Sequence, residues 1–143
     1  MAKINYVLGE VAPVGQITSF SGSLPAELSL VTTKLLIDSV VAKRIRATKT
    51  FYVGNIALVQ KETLELHGIR AIVPPSDGTF MMNFLASKAR QSGIVIVFDG
   101  WSELLEGYDE AARVRLRLLC RCVCDQGGAV IRLEHLPQSM AAA

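Results

Sequence analysis

Two short stretches of the chain contain the residue types that bind phosphate and magnesium in nucleotide-binding sites. In residues 22–29, Gly22 and Ser29 match the first and last fixed positions of the phosphate-binding loop pattern G-x-x-x-x-G-K-[ST]. In that pattern backbone N–H groups surround the phosphates, the lysine binds the β- and γ-phosphate oxygens, and the hydroxyl binds Mg²⁺. The second stretch is the apolar run 94–98, which ends in Asp99. A strand ending there would present a carboxylate suited to the same Mg²⁺.

The first stretch lacks two groups that a phosphate site needs. Glu27 stands where the pattern has its second glycine, and Leu28 stands where it has lysine. A carboxylate about 4 Å from a phosphate oxygen costs on the order of 4 kcal/mol at an effective dielectric near 20. The sequence therefore predicts a nucleotide-binding scaffold that has lost nucleotide chemistry. We expect no catalytic residue, no metal site and no cofactor.

Length and composition favour one domain, residues 1–143, large enough to bury a core. Half of the residues are hydrophobic and the mean hydropathy is +0.35. No apolar run approaches the roughly 18 residues of a membrane span, so we expect no membrane partner and place the apolar surplus in the core or a protein interface. The net charge of +2 does not indicate nucleic acid. The first residues lack the apolar region of a secretory signal, and the three cysteines favour a reducing, intracellular compartment.

Short β-type and longer helical patterns alternate along the chain, with brief connections. The predicted strands are 16–21, 48–53, 69–73, 94–98 and 129–133, and the predicted helices are 28–46, 58–67, 79–91 and 106–126. Residues 94–98 are all large and apolar, a pattern typical of a central parallel strand buried on both faces. The alternation predicts a three-layer α/β sandwich with a mostly parallel central sheet.

The order of these motifs resembles the RecA-like ATPase core, over about residues 14–136. Residues 51–58 (FYVGNIAL) are similar to the family segment F-I-D-A-E-H-A-L, whose Glu polarises the attacking water, and Asn55 stands at that position. Residues 97–104 are similar to the recombinase Walker B run V-x-D-S-x-x-A-L. Residues 130–135 lie where the sensor strand of the family ends in Gln, and either Glu134 or His135 takes that place.

The departures from the family pattern imply a protein without ATPase activity. The resemblance makes Gly22, Glu27, Leu28, Ser29, Asn55 and Asp99 the positions of a degenerate nucleotide site. The sequence extends ten residues past Leu133, so we expect the second DNA-binding loop of the family to be missing.

The resemblance implies a non-catalytic paralogue that acts as a structural subunit beside another RecA-like subunit. We expect a hetero-oligomer that supports recombinase-dependent DNA repair, in the nucleus of a eukaryote or the cytoplasm of a prokaryote. One alternative is a RecA-like subunit of an Elongator-type tRNA-modification complex. Another is a RecA-like inhibitor that caps a polymerising protein, as cell-division inhibitors do. An active ATPase is the least favoured alternative.

Two further groups of residues are candidates for contacts with partners. Arg113, Arg117 and Arg121 recur every four residues, either as a DNA-tracking stripe or as a solvated helix face, and we expect weak DNA binding by the chain alone. Another group follows Asp99 in the region that forms the first DNA-binding loop of the family: Trp101, Leu104, Leu105 and Tyr108. These residues could stack on bases or anchor a protein interface, and we favour the interface.

The three cysteines are interpreted as helix residues and not as zinc ligands. Cys120 and Cys124 share a helix face, whereas Cys122 points away from it. Zinc requires ligands that converge tetrahedrally, and this spacing does not provide them. We therefore expect small core residues at positions 120 and 124.

Overall fold

A computed structural model describes residues 6–8, 12–22, 25–75 and 79–135. The strands in these ranges are β1 (Tyr6–Leu8), β2 (Ala12–Pro13), β3 (Ile17–Gly22), β4 (Thr50–Gly54), β5 (Arg70–Ile72), β6 (Val95–Asp99) and β7 (Ala129–His135). The helices are α1 (Pro25–Val41), α2 (Leu58–Leu66), α3 (Phe80–Lys88), α4 (Trp101–Leu104) and α5 (Glu110–Asp125), with a 3₁₀ turn at Ala47–Lys49.

Five of the strands form one all-parallel sheet in the order β3-β7-β6-β4-β5, and β1 and β2 form a separate antiparallel pair. The strand that ends in Asp99 is the middle one of the five, and all of its residues are buried. Asp99 is in register with Gly54 of β4 on one side and with Leu133 of β7 on the other. The carboxyl ends of the strands therefore lie at one edge of the sheet.

Helices cover both faces of this sheet. On one face Val95 and Val97 pack in a cluster with Leu36 of α1 and Leu64 of α2. On the other face Phe98 lies in a second cluster that includes Leu85 of α3, Leu116 of α5 and Ile96. These two cores confirm the predicted α/β class and the buried central strand.

The helices predicted over 28–46 and 106–126 have different boundaries in the structure. The first helix runs from Pro25 to Val41. It does not extend to residue 46 because the chain leaves the helical path at Lys43, whose φ is 61°. The helix predicted over 106–126 is shorter and is preceded by α4, because Asp109 caps α5 by accepting a hydrogen bond from the Ala112 N–H at 2.8 Å. Gly107, at φ 87°, turns the chain between the two helices.

One strand pair was not predicted, and one predicted boundary lies outside the described residues. The pair β1–β2 was not predicted, because strands of three and two residues have too few positions to show a periodic pattern. The end of the predicted 14–136 core, Leu136, lies outside the described residues. Among the described helices, none is long and apolar enough to cross a membrane.

Candidate functional site

A cavity of about 1040 Å³ lies at the sheet edge where the parallel strands end. Its floor includes Asp99 at the end of β6, His135 at the end of β7 and Ser29 of α1. Ligands of open α/β sheets bind outside the carboxyl ends of the strands. The cavity is therefore the candidate functional site.

The Asp99 carboxylate is the most heavily hydrogen-bonded group of the site. Its Oδ2 accepts hydrogen bonds from the Ser29 Oγ–H and the Tyr52 O–H, both at 2.6 Å. Its Oδ1 lies 2.5 Å from Nε2 of His135, and the Asp99 side chain is only 6% exposed. Both carboxylate oxygens are therefore occupied by donors from the protein itself.

Burial keeps the Tyr52 hydroxyl protonated as a donor to Asp99. Tyr52 has no exposed surface, and burial, followed by the negative charge of Asp99, raises the pKa of Tyr52 far above its usual value. In the imidazole ring of His135, the Nδ1 atom is buried and has no hydrogen-bond partner among the described residues.

Close backbone packing explains the glycines beside Asp99. A Cβ atom at Gly54 would lie 2.6 Å from the Asp99 carbonyl oxygen, so only glycine lets β4 approach β6 at this point. Gly100, at φ 83°, turns the chain from β6 into α4 while its N–H donates to the Leu133 carbonyl at 2.9 Å. These two positions hold Asp99 at the floor of the cavity.

The segment that matches the phosphate-binding pattern does not have the form of a long loop. Only residues 23–24, which lie outside the described ranges, separate the end of β3 from the start of α1. Pro25 has no backbone N–H to offer a phosphate. Leu28, at the position of the lysine, packs against the core that contains Leu36. Residues 25–28 thus belong to the first turn of a helix and do not surround an anion.

The structure brings together part of the predicted degenerate nucleotide site. Ser29 and Asp99 are in direct contact, and Asn55 is exposed and lines the same cavity. Glu27 is exposed in the first turn of α1 and does not line the cavity. Gly22 is the last residue of β3, next to the Leu28 side chain.

Tyr52 and His135 complete the site. The sequence had named His135 only as an alternative to Glu134 at the end of the last strand and had not singled out Tyr52. His135 contacts Asp99, whereas Glu134 accepts a hydrogen bond from the Ser102 hydroxyl at 2.7 Å. The two-residue period of a strand offered a signal for Tyr52, since Tyr52 is in register with Val97 and shares its face of the sheet.

Three acidic side chains line the cavity, and much of its wall is apolar. Glu103 and Glu106 line it together with Asp99, and none of the described lining residues is a lysine or arginine. The apolar part of the wall includes Leu30, Val59, Val73, Pro74, Phe80 and Leu104. A polyanion such as a triphosphate finds no cation here.

Two of the predicted interface residues are core residues, and their assignment is corrected. Trp101 is 5% exposed, its ring centroid lies 5.1 Å from that of Phe98, and the Arg132 guanidinium lies 5.3 Å from it. Leu105 is 7% exposed. The apolar side chains pack inward because α4 closes over the sheet edge. Leu104 and Tyr108 are half-buried and line the cavity.

The three predicted DNA-binding arginines are each engaged within the chain. Arg113 donates to the carbonyls of Tyr108 and Leu105 at 2.9 and 3.1 Å. Arg117 lies 3.5 Å from Glu110, and Arg121 pairs with Asp125 at 3.0 Å. Arg113 therefore holds the turn before α5, whereas the other two lie on an exposed helix face.

The cysteines have the arrangement expected from their spacing. Cys120 and Cys124 are buried and Cys122 is exposed. Burial raises the pKa of the Cys120 thiol to about 12 and also raises the pKa of Cys124. No cluster of three or more metal-ligating side chains occurs within the described ranges.

Neither a scan against models of protein families nor a search of curated proteins finds a match to this chain.

Proposed function

We propose that this chain is a non-catalytic, RecA-like structural subunit of a hetero-oligomer that supports recombinase-dependent DNA repair. The observation that carries the proposal is the state of Asp99, whose two carboxylate oxygens are hydrogen-bonded to Ser29, Tyr52 and His135. Ser29 and Asp99 are the two groups that would hold Mg²⁺ in a working site. In this chain they bind each other.

Electrostatics at the cavity also argue against nucleotide. A triphosphate would need cationic or N–H donors, and the mouth instead carries Glu103 and Glu106, both exposed. The side chain of Leu28 is directed into the core and offers no charge. Binding of ATP would therefore lack its usual attraction and add repulsion.

Hydrolysis has no general base at the expected position. Asn55 carries a carboxamide, which does not accept a proton at neutral pH, and it is exposed at the cavity. His135 is the remaining group with a basic nitrogen, and its Nε2 is bound to Asp99. The carboxamide of Asn55 at the expected position of the base supports the proposal of a chain without ATPase activity.

Exposed apolar side chains near the cavity support a role within a complex. Leu30 of α1 is 62% exposed, and Leu58 and Val59 of α2 are 69% and 74% exposed. Contiguous apolar surface of this kind marks sites of protein association. The DNA-repair setting rests on the resemblance to the RecA-like core.

Affinity purification of the tagged full-length chain from its native cells, with cross-linking mass spectrometry, tests this proposal. We expect another RecA-like protein at near-equal abundance, with cross-links beside α1 and α2. A tagged α/β protein of similar size serves as the control bait. Recovery of a tRNA-modification assembly would favour the Elongator-type subunit. Recovery of a polymerising cell-division protein would favour the inhibitor. A chain recovered alone would contradict the proposal.

A further inference from the structure

Three acidic residues line the cavity, Asp99, Glu103 and Glu106, and none of the described lining residues is a lysine or arginine. The Glu103 carboxylate lies beside Gly100, the residue that follows Asp99. Its Oε2 atom is 2.5 Å from the point that a Cβ atom of residue 100 would occupy. Glu106 lies one turn further on, with its N–H donating to the Glu103 carbonyl at 3.2 Å. Acidic side chains that line one cavity favour the entry of a cation.

The residues outside the described ranges that adjoin cavity-lining segments along the chain do not supply that cation. Residues 23–24, 76–78 and 136–143, which adjoin the cavity-lining segments along the chain, contain no lysine or arginine. The positive charge that complements Glu103 and Glu106 must therefore come from outside the cavity-lining part of the chain.

Apolar surface extends from the cavity onto the outside of the molecule. Leu30, Val59 and Val73 line the cavity and are 62%, 74% and 49% exposed, and Leu58 continues the surface at 69%. A small ligand enclosed by the cavity would leave much of this surface in water. A protein surface that carries apolar residues around a basic side chain would cover it.

We propose that the cavity receives an arginine side chain presented from an apolar surface of a protein partner. This inference rests on the proposed function, because it names how that partner docks. The guanidinium suits the site because its planar donors pair with carboxylate oxygens two at a time, and Glu103, Glu106 and the Asn55 amide oxygen supply acceptors. Asp99 already has its own donors and forms the floor.

Three capped peptides and ATP test the inference on the full-length chain by NMR titration. The probes are Ac-Leu-Arg-Leu-NH₂, its neutral isostere Ac-Leu-citrulline-Leu-NH₂, and Ac-Arg-NH₂. We expect the arginine tripeptide to shift the signals of the Asn55 and Gln60 side-chain amides and the Gly100 N–H. It should bind at least about fivefold more tightly than the citrulline peptide, a difference of about 1 kcal/mol.

Variants of the acidic residues localise the effect. Glu103→Gln and Glu106→Gln should each weaken the arginine tripeptide about threefold and leave the citrulline peptide unchanged. Glu62→Gln is the matched control, since Glu62 is exposed on α2 and does not line the cavity. It should leave all affinities unchanged.

Each remaining outcome decides against part of the inference. Equal affinity for the arginine and citrulline peptides, or no shifts at the highest soluble concentration, would overturn the cation site. Equal affinity for Ac-Arg-NH₂ and the tripeptide would indicate a free small cation and overturn the protein-borne source. Binding of ATP with Mg²⁺ would instead contradict the proposed function, so the two failures are distinguishable.

Discussion

At the scale of single residues, Asp99 determines how the site is built. It organises three side chains from three different elements: Ser29 of α1, Tyr52 of β4 and His135 of β7. Each of these donors is buried or nearly so, and an unsatisfied buried donor costs about 1–3 kcal/mol. The Asp99 carboxylate thus has a structural role in this chain.

Replacing Asp99 should therefore destabilise the fold. We expect Asp99→Ala to lower the free energy of unfolding by about 2–4 kcal/mol, because it leaves the hydroxyl donors of Ser29 and Tyr52 without an acceptor. Asp99→Asn keeps one oxygen acceptor and should cost less. Urea denaturation measures both, with the exposed Asp125→Ala as the control. Equal losses for Asp99→Ala and Asp125→Ala would show that the network adds no stability.

The buried thiol of Cys120 makes stability depend on pH in the alkaline range. Burial raises its pKa from the ordinary 9.0 to about 12, so above about pH 9 the unfolded chain releases a proton that the folded chain keeps. Stability is complete below that pH and falls as pH rises, by up to about 1.4 kcal/mol per pH unit for this one group.

Cys120→Ala should flatten this dependence, whereas Cys122→Ala should not, because Cys122 is exposed. Urea denaturation at about pH 8.5 and about pH 10 should show the wild type losing about 1 kcal/mol more than Cys120→Ala over this interval. The same alkaline loss in both variants would contradict the contribution of Cys120.

At the scale of elements, α5 contains both structural and solvent-facing arginines. Arg113→Ala should cost about 1–2 kcal/mol in urea denaturation, because two half-buried carbonyl groups lose a charged donor. Arg117→Ala should cost at most about 0.5 kcal/mol, since its ion pair with Glu110 is exposed. Similar costs for the two variants would mean that Arg113 does not hold the turn.

The same helix allows a direct test of DNA binding without loss of the fold. If Arg117 and Arg121 contact phosphates, replacing both by Ala should reduce the salt dependence of DNA affinity by about two units of slope. We expect weak affinity and no such reduction, because both side chains pair with acidic residues of their own helix. Fluorescence anisotropy with labelled single-stranded DNA at several salt concentrations measures this.

The elements and part of the site could be predicted from the sequence. Residues 94–98 are apolar throughout, which is sufficient to identify a central parallel strand. The start of α5 could not be located by periodicity, because the Asp109 cap and the Gly107 turn decide it locally. Tyr52 was not singled out and His135 was named only as an alternative to Glu134, because the register of β4, β6 and β7 brings them to Asp99. The sequence placed Trp101 at an interface because it does not show how α4 folds back, and this folding buries the Trp101 ring.

At the scale of the whole molecule, the face formed by α1 and α2 is the natural place for association. Leu30, Leu58 and Val59 are more than half exposed there, so we expect the isolated chain to self-associate. Leu58→Ser with Val59→Ser should shift sedimentation velocity towards the monomer without lowering stability. Leu118→Ser, at a 61% exposed position on α5, is the control. A wild-type chain that stays monomeric at high concentration would count against this interface.

Calorimetry with ATP shows whether this site binds nucleotide, which we propose it does not. Titration of the full-length chain with ATP and Mg²⁺ should produce no heat beyond dilution, because Leu28 offers no charge and Glu103 and Glu106 repel the phosphates. An ATPase assay of the same sample should match the buffer blank. A dissociation constant in the low micromolar range would contradict the account.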